Sequence, residues 1–255
     1  MNPFINIAVT AAHAGGDLIM RYLNRVDQLK ISAKGNSDFV SEVDRGAEAE
    51  IIRNIQRYYP QHAILGEESG QQGESDWTWI IDPLDGTTNF LHGINHFAVS
   101  IAAVHKGQIE HGVIYCPPTQ ELYVASRGGG AVRNNRRIRC SKRRTMEEAL
   151  IGTGAPIRNP ERNQRYLPIF ESVISETAGI RRAGSAALDL AYVADGRLDG
   201  FWELNLKPWD IAAGILLVQE AGGIVTEIDG GDPLKTGSVV AGNPKIHPLL
   251  EALTK

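Results

Sequence analysis

Apolar residues recur at three- and four-residue steps through Phe4, Ile5, Ala8, Ala12, Gly15, Leu18, Ile19 and Tyr22. The spacing predicts a helix over residues 4–23 with one buried face. A second helix is predicted from Ser41, where Ser41 to Asp44 has the spacing of a capping box, through Ala47, Ile51 and Ile55 to a stop at Pro60. Between them KISAKGNSDFV is polar and reads as a flexible connection. From Trp77 the period changes. Short apolar runs, WIID, HFAVSIAAV, HGVIYC and ELYVAS, are separated by KG, CPP and RGGG, which predicts an antiparallel sheet of hairpins. Trp77 and Trp79 sit on its first strand and are expected to divide between core and surface. Beyond residue 145 the pattern alternates. ALIGTG, LDGFWEL and GGIVTEI read as strands, and RYLPIFESVIS, SAALDLAYVAD and WDIAAGILLVQEAG as helices. The chain thus divides into an α+β half over 1–145 and an α/β half over 146–255. With no repeat and no long linker, the two are expected to pack as one compact unit.

Composition narrows the class. At 255 residues and 42% hydrophobic the chain can bury a sizeable core, and a net charge of −4 gives no overall field that selects nucleic acid or anionic membrane. No run approaches the roughly 18 apolar residues of a spanning helix, and no leader pattern opens the chain, so a soluble, cytoplasmic protein without membrane association is expected. Cys116 and Cys140 are the two cysteines; they are expected to be reduced thiols, and a cysteine-built metal site is excluded. His92, His96 and the other histidines lack metal-ligand spacing and are expected to be structural or exposed. The basic run from Arg133 to Arg144 reads as a solvated loop or hairpin, with a docking patch for a partner or nucleic acid as the other reading.

Candidate chemistry concentrates in WTWIIDPLDGTTNF, Trp77 to Phe90. Magnesium prefers carboxylate, carbonyl and water oxygens. A strand ending at Asp82, a turn stiffened by Pro83, and the Leu84 carbonyl outside any ladder would let Asp82, Asp85 and that carbonyl converge. Gly86, Thr87 and Thr88 follow, where a helix start would offer amides to a phosphate. Read alone, the stretch is equally a turn after a buried strand, with Asp82 as a cap. Two further acidic sites favour the chemical reading. GEES, Gly66 to Ser69, places two glutamates at a strand end, and Trp209-Asp210 opens an apolar helix, where Asp210 alone would read as a cap. An aspartyl-nucleophile DxDGT motif needs its aspartates two apart. Here they are three apart, so Asp82 reads as a metal ligand and a metal-activated water as the nucleophile.

GEES, WIIDPLDGTTNF and WDIAAGILLVQEAGG, in that order and spread over the whole chain, resemble the motifs of the inositol monophosphatase family. NSDFVSEVD, HFAVSIA, RRAGSAALDLAYVADGR and LKPWD add to the resemblance with its bacterial members. The resemblance implies the five-layered αβαβα sandwich of the inositol monophosphatase and sugar phosphatase fold, within the α+β and α/β classes. It also implies Mg2+-dependent, lithium-sensitive hydrolysis of a phosphate monoester with two to three ions. By motif, Glu67, Asp82 and the Leu84 carbonyl would hold the first metal and Asp82, Asp85 and Asp210 the second, with Glu67 near a weaker third. Glu67 and Thr87 would orient the attacking water, and Asp44 would hydrogen-bond Thr87; its alternative is the capping role already given. Gly86 and Thr87 amides would bind phosphate.

On the alcohol side the resemblance implies contacts from Asp85, Gly184, Ser185, Ala186, Glu203 and Asp210, since the hydroxyls of a cyclic polyol cannot be buried unpaired. Glu203 alone would read as a surface glutamate at a strand end. Lys34 would lie on a mobile loop that orders around the third metal, and alone would be a solvated loop residue. Ala155 stands where some relatives carry a polar residue. The family further implies a homodimer. Its bacterial members are also tied to ribosomal RNA transcription antitermination, so a complex of Nus factors and RNA polymerase is an alternative, non-catalytic role. For this role Arg133 to Arg144 and Arg181-Arg182 are the segments of interest. A sister phosphatase acting on fructose-1,6-bisphosphate or 3'-phosphoadenosine phosphate is the other alternative.

Overall fold

The computed structural model describes residues 2–23, 31–34, 38–155 and 160–255. Helix α1 (Pro3–Tyr22) starts where the Asn2 side chain accepts from the Phe4 amide at 2.9 Å and Pro3 occupies the first turn. Its buried face, Ile5, Ala8, Ala11, Ala12, Gly15, Gly16 and Ile19, follows the predicted one, except that Phe4 and Leu18 are half-buried and Tyr22 is exposed at the last turn. A Cβ at Gly15 would stand 2.8 Å from Ile51, so the small stripe lets α1 approach α2 (Glu42–Gln56) closely. The connection between them contains strands β1 (Ile31–Lys34) and β2 (Asp38–Ser41), which pair as an antiparallel hairpin. A segment read as a plain connection is therefore partly ordered by its own backbone.

Next come β3 (Ala63–Gly66), β4 (Gly70–Gln72), β5 (Trp77–Asp85), the short helix α3 (Thr87–Leu91), β6 (Ala98–His105), β7 (Gln108–Cys116), β8 (Glu121–Ser126), β9 (Gly130–Arg133) and β10 (Arg136–Arg137). They form an eight-stranded sheet in the order β10-β9-β8-β7-β6-β5-β3-β4. Antiparallel hairpins run from β5 to β10 as predicted, whereas β3 lies parallel to β5, with Gly66 opposite Ile81. Strand β5 does not end at Asp82. Its ladder with β6 slips between Asp82 and Asp85, and Pro83 and Leu84 occupy the bulge, where a missing amide costs no ladder bond.

The second half contributes β11 (Leu150–Thr153), α4 (Pro160–Glu176), β12 (Gly179–Arg181), α5 (Ala186–Ala194), β13 (Gly200–Glu203), α6 (Pro208–Glu220), β14 (Ile224–Glu227), α7 (Pro233–Thr236), β15 (Val239–Gly242) and α8 (Ile246–Thr254). Its sheet, ordered β12-β11-β13-β15-β14, is parallel at β12, β11 and β13 and antiparallel at β13, β15 and β14. Strands β12 and β15 and helix α8 fall in segments from which the sequence pattern predicted no element.

Helices α1 and α2 cover one face of the large sheet and α5 and α6 the other. The same α5 and α6 cover the second sheet, whose outer face carries α8, with α4 packed beside it. Five layers result, as the resemblance implied. Strand β6 explains its own unbroken apolar run: Val99, Ile101 and Ala103 face the α1/α2 core, while Ala98, Ala102 and Val104 face the α5/α6 core. Helix α5, sandwiched between sheets, is correspondingly apolar on nearly every face, with Asp189 the exception among its buried residues.

Trp77 and Trp79 correct the sequence reading. Residues two apart on a strand share a face, and both indoles pack on Phe4, at centroid distances of 4.3 and 5.7 Å. The basic run is a hairpin in which Asn134 and Asn135 take left-handed conformations, as a tight two-residue turn needs. Three of its arginines are tied down, Arg137 by donating to the Gly129 carbonyl. Arg133 pairs with Asp195, and Arg143 lies 3.1 Å from the fully buried Asp199. Cys116 and Cys140 are both free thiols. Among the described residues no helix is long and apolar enough to cross a membrane.

Candidate active site

Parallel pairing of β3 with β5 brings the first two acidic motifs together. Because Gly66 lies opposite Ile81, the next residues, Glu67 just past the end of β3 and Asp82 still within β5, stand side by side, and the Glu67 amide donates to the Ile81 carbonyl at 3.1 Å. Asp82 is 1% exposed; its Oδ1 accepts from the Leu84 amide at 2.9 Å across the bulge. The Leu84 carbonyl, outside the ladder, accepts from Thr87 Oγ1 at 3.0 Å. This corrects one expectation: Thr87 gives its hydroxyl hydrogen to the carbonyl three residues back rather than to Asp44, because the bulge and the start of α3 bring that carbonyl within local reach. Asp44 is buried on the first turn of α2 and acts on Glu67 through its charge.

Gly86 precedes α3 with φ +100°, and a Cβ there would stand 3.0 Å from the His96 carbonyl and 3.2 Å from that of Gly184. Only glycine suits both the dihedral and the approach. Asn89, one turn later, donates to the His96 carbonyl at 2.7 Å and the Ala183 carbonyl at 2.9 Å. This side chain ties DGTTNF to the loop that leads into α5.

Asp85 makes the same link from the carboxylate side. Its Oδ2 accepts from Ser185 Oγ and from the Ala187 amide, each at 2.7 Å. Ser185 in turn caps α5, accepting from the Leu188 amide. Asp210 sits in the first turn of α6 and its Oδ2 accepts from the Lys207 amide at 2.7 Å. Lys207 is the N-cap, so Asp210 caps from the third helical position and not as the N-cap its position alone suggested, and its charge acts on Asp82.

The electrostatics of the cluster follow from burying like charges together. Burial, then the charges of Asp210 and Asp44, push the Glu67 carboxyl up to about 8. Burial and the neighbouring Glu67 hold Asp82 well above the usual carboxylate range. Burial and the charge of Asp85 push Asp210 up to about 8. Burial raises Asp85 to about 6, with the Ser185 and Ala187 hydrogen bonds pulling the other way. Asp82 thus feels the charges of Glu67, Asp85 and Asp210 together. Among the described residues no three acidic, imidazole or thiol side chains converge on one cation position in this arrangement.

Adjoining the cluster is a cavity of about 160 Å3 lined by Asp85, Gly184, Ser185, Ala186, Glu203 and Asp210, every residue expected on the alcohol side. Sequence reasoning missed three of its other walls: Thr153, Arg182 and Asp189. A usable signal for Asp189 was present, a single acid inside the otherwise apolar SAALDLAYVA. Glu203 is no surface residue. Burial and the charge of Asp85 push its carboxyl up to about 8. It reaches its place because residue 154 is glycine; a Cβ there would overlap the Glu203 carboxylate. Lys34 ends β1, opposite Asp38, and its side chain lies outside the described residues.

A model of the inositol monophosphatase family, matched over residues 1–255, covers all the motifs assembled above. The chain belongs to the inositol monophosphatase family. It is 52% identical to the Nus factor SuhB of Pseudomonas aeruginosa over 98% of this chain and 95% of that protein. It is 50% identical to the Nus factor SuhB of Escherichia coli strain K12, over 96% and 93%. Among solved structures, the extragenic suppressor protein suhB from Bartonella henselae superposes with a TM-score of 0.97 at 48% identity, over 100% of this chain and 99% of the other. An inositol monophosphatase from Anabaena superposes with a TM-score of 0.86 at 40% identity, over 98% and 94%. The layered α+β fold is the one these family members share.

Proposed function

We propose that the protein hydrolyses inositol monophosphate and related polyol phosphates to the free alcohol and phosphate, with Mg2+ as cofactor. The observation that carries this reading is a set of four carboxyl groups, Asp82 buried and Glu67, Asp85 and Asp210 half-buried, sharing Asp85 and Asp210 with a small polar cavity. The donor set suits a hard divalent ion. It is all oxygen, and the charges acting most strongly on Glu67 and Asp82 are other carboxylates, a balance that a bound cation reverses. Glu67, Asp82 and the Leu84 carbonyl would hold one ion and Asp82, Asp85 and Asp210 another, and Glu67 would also serve a weaker third. Bound Mg2+ supplies Lewis-acid charge that stabilises the attacking and leaving oxygens of the phosphate ester.

The chain's own groups do the rest. Glu67, a carboxylate once its neighbours' charge is offset, accepts a proton from the attacking water. Thr87, its hydrogen committed to the Leu84 carbonyl, offers a lone pair that orients the same water. Amides of Gly86 and Thr87, at the start of a helix where no intrahelical partner exists, hold phosphate oxygens. Glu203, Asp85, Asp210 and Ser185 accept from the hydroxyls of the alcohol, with backbone groups of Gly184 and Ala186 beside them. Lys34 serves the third ion's site, lithium inhibits by competing for the oxygen ligands, and the protein works as a homodimer.

Turnover of inositol-1-phosphate, fructose-1,6-bisphosphate and 3'-phosphoadenosine phosphate, compared side by side, tests the substrate. A preference for the first is expected; a strong preference for either other substrate overturns the assignment. A second reading is favoured by the relatives called Nus factors at 50% and 52% identity. In it the protein joins a Nus-factor and RNA polymerase complex in ribosomal RNA synthesis. Co-purification of Nus factors with the tagged protein is expected, and their absence counts against it.

A further inference from the structure

Asp189 occupies the first turn of α5, is 2% exposed, and lines the same cavity as Asp85, Glu203 and Asp210. Its Oδ1 is buried with no hydrogen-bond partner. Asp85 and Asp210, by contrast, are each held by protein donors. Arg182, on the cavity wall, acts on Asp189 through its charge. A buried acceptor left empty costs free energy. An apolar residue would avoid that cost on a helix whose neighbouring positions, Ala187, Leu188, Leu190 and Ala191, are all buried and apolar. A costly carboxyl on a residue that lines a cavity marks a contact whose partner arrives with the ligand.

We propose that Asp189 is a specificity-determining residue whose carboxyl accepts a hydrogen bond from a hydroxyl of the substrate's alcohol portion, beside the hydroxyls held by Glu203. This rests on the polyol-phosphate reading of the site and sharpens it. The cavity selects alcohols that bring several donors, and Asp189 supplies one of the acceptors. Four carboxyl groups, the Ser185 hydroxyl and a single guanidinium around about 160 Å3 form a wall rich in acceptors, below the roughly 300–1,000 Å3 of drug-sized sites. It matches a small, donor-rich ring.

The test compares kcat/KM for inositol-1-phosphate with that for phenyl phosphate, which carries no hydroxyl on its alcohol portion, in wild type, Asp189→Leu and Asp189→Asn. The selectivity ratio is expected to fall about tenfold to a hundredfold in Asp189→Leu and to stay within about threefold of wild type in Asp189→Asn, which keeps a carbonyl acceptor. An unchanged ratio in Asp189→Leu, or equal losses on both substrates, overturns the proposal. Melting curves check that the leucine variant folds; if it does not, Asp189→Ala takes its place. Binding of free inositol, read by NMR, separates this proposal from the functional reading. Inositol binding that is lost in Asp189→Leu supports it even in a protein that hydrolyses nothing. Inositol binding that Asp189→Leu leaves intact overturns it even where hydrolysis stands.

Discussion

Removing divalent ions and raising the pH from 7 to 9 should destabilise the protein, an unusual direction for a carboxylate site. Glu67, Asp210 and Glu203 each have folded values of about 8, against ordinary values of 4.5, 3.8 and 4.5. A carboxyl that binds its proton more tightly when folded stabilises the protein fully below its unfolded value, and that contribution is lost as pH rises through the folded value. Between pH 7 and 9 one such group gives up about 1.4 kcal/mol. Three together give up roughly 4 kcal/mol, reduced to the extent that Glu67 and Asp210 share protons with Asp82. At about 2–4 °C per kcal/mol for a chain of this size, Tm should fall on the order of 10 °C. The histidines displaced by burial, His62, His96, His111 and His247, are shifted downward and are already neutral in this window. The assay is thermal unfolding in chelator at pH 7, 8 and 9, repeated with saturating Mg2+, which should remove most of the slope and leave the share from Glu203. A melting temperature that is flat or rises with pH in chelator would refute the electrostatic account of the cluster.

Other expectations are local. Gly154→Ala should push the Glu203 carboxylate out of the cavity and lower kcat/KM for inositol-1-phosphate by about tenfold, with the melting temperature little changed; full activity would show that Glu203 does not need its present place. Gly86→Ala meets both a left-handed φ and the His96 carbonyl, so unfolding in denaturant should show a loss of about 1–3 kcal/mol. Asn89→Ala removes donors to the His96 and Ala183 carbonyls and should cost about 1–3 kcal/mol by the same measurement. Arg143→Ala leaves the buried Asp199 with only its bond from the Leu150 amide; a loss of roughly 1–2 kcal/mol is expected, and no loss would return Arg143 to the solvated part of the basic run.

The layers and the acidic motifs were legible because each is local. Periodicity located α1 and the hairpins from β5 onward, and the apolar run of β6 announced a strand buried on both faces. What joins distant motifs was not legible. Glu67 meets Asp82 through a parallel pairing of β3 with β5 that no turn signal announces, and Asn89 and Asp85 reach across the chain to the start of α5. Short strands such as β12 and β15 carry too few residues for a period to show. The division of Trp77 from Trp79 failed for a simpler reason: a two-residue step keeps one face.

The central claim, that the carboxyl cluster and its cavity form a magnesium-dependent phosphatase site, is tested most directly by phosphate release from inositol-1-phosphate. Wild type and Asp85→Asn are compared with Mg2+ and in chelator. Release that needs Mg2+ and falls on the order of a hundredfold or more in the variant is the predicted result. Equal release by both proteins, or release undiminished by chelator, would contradict it.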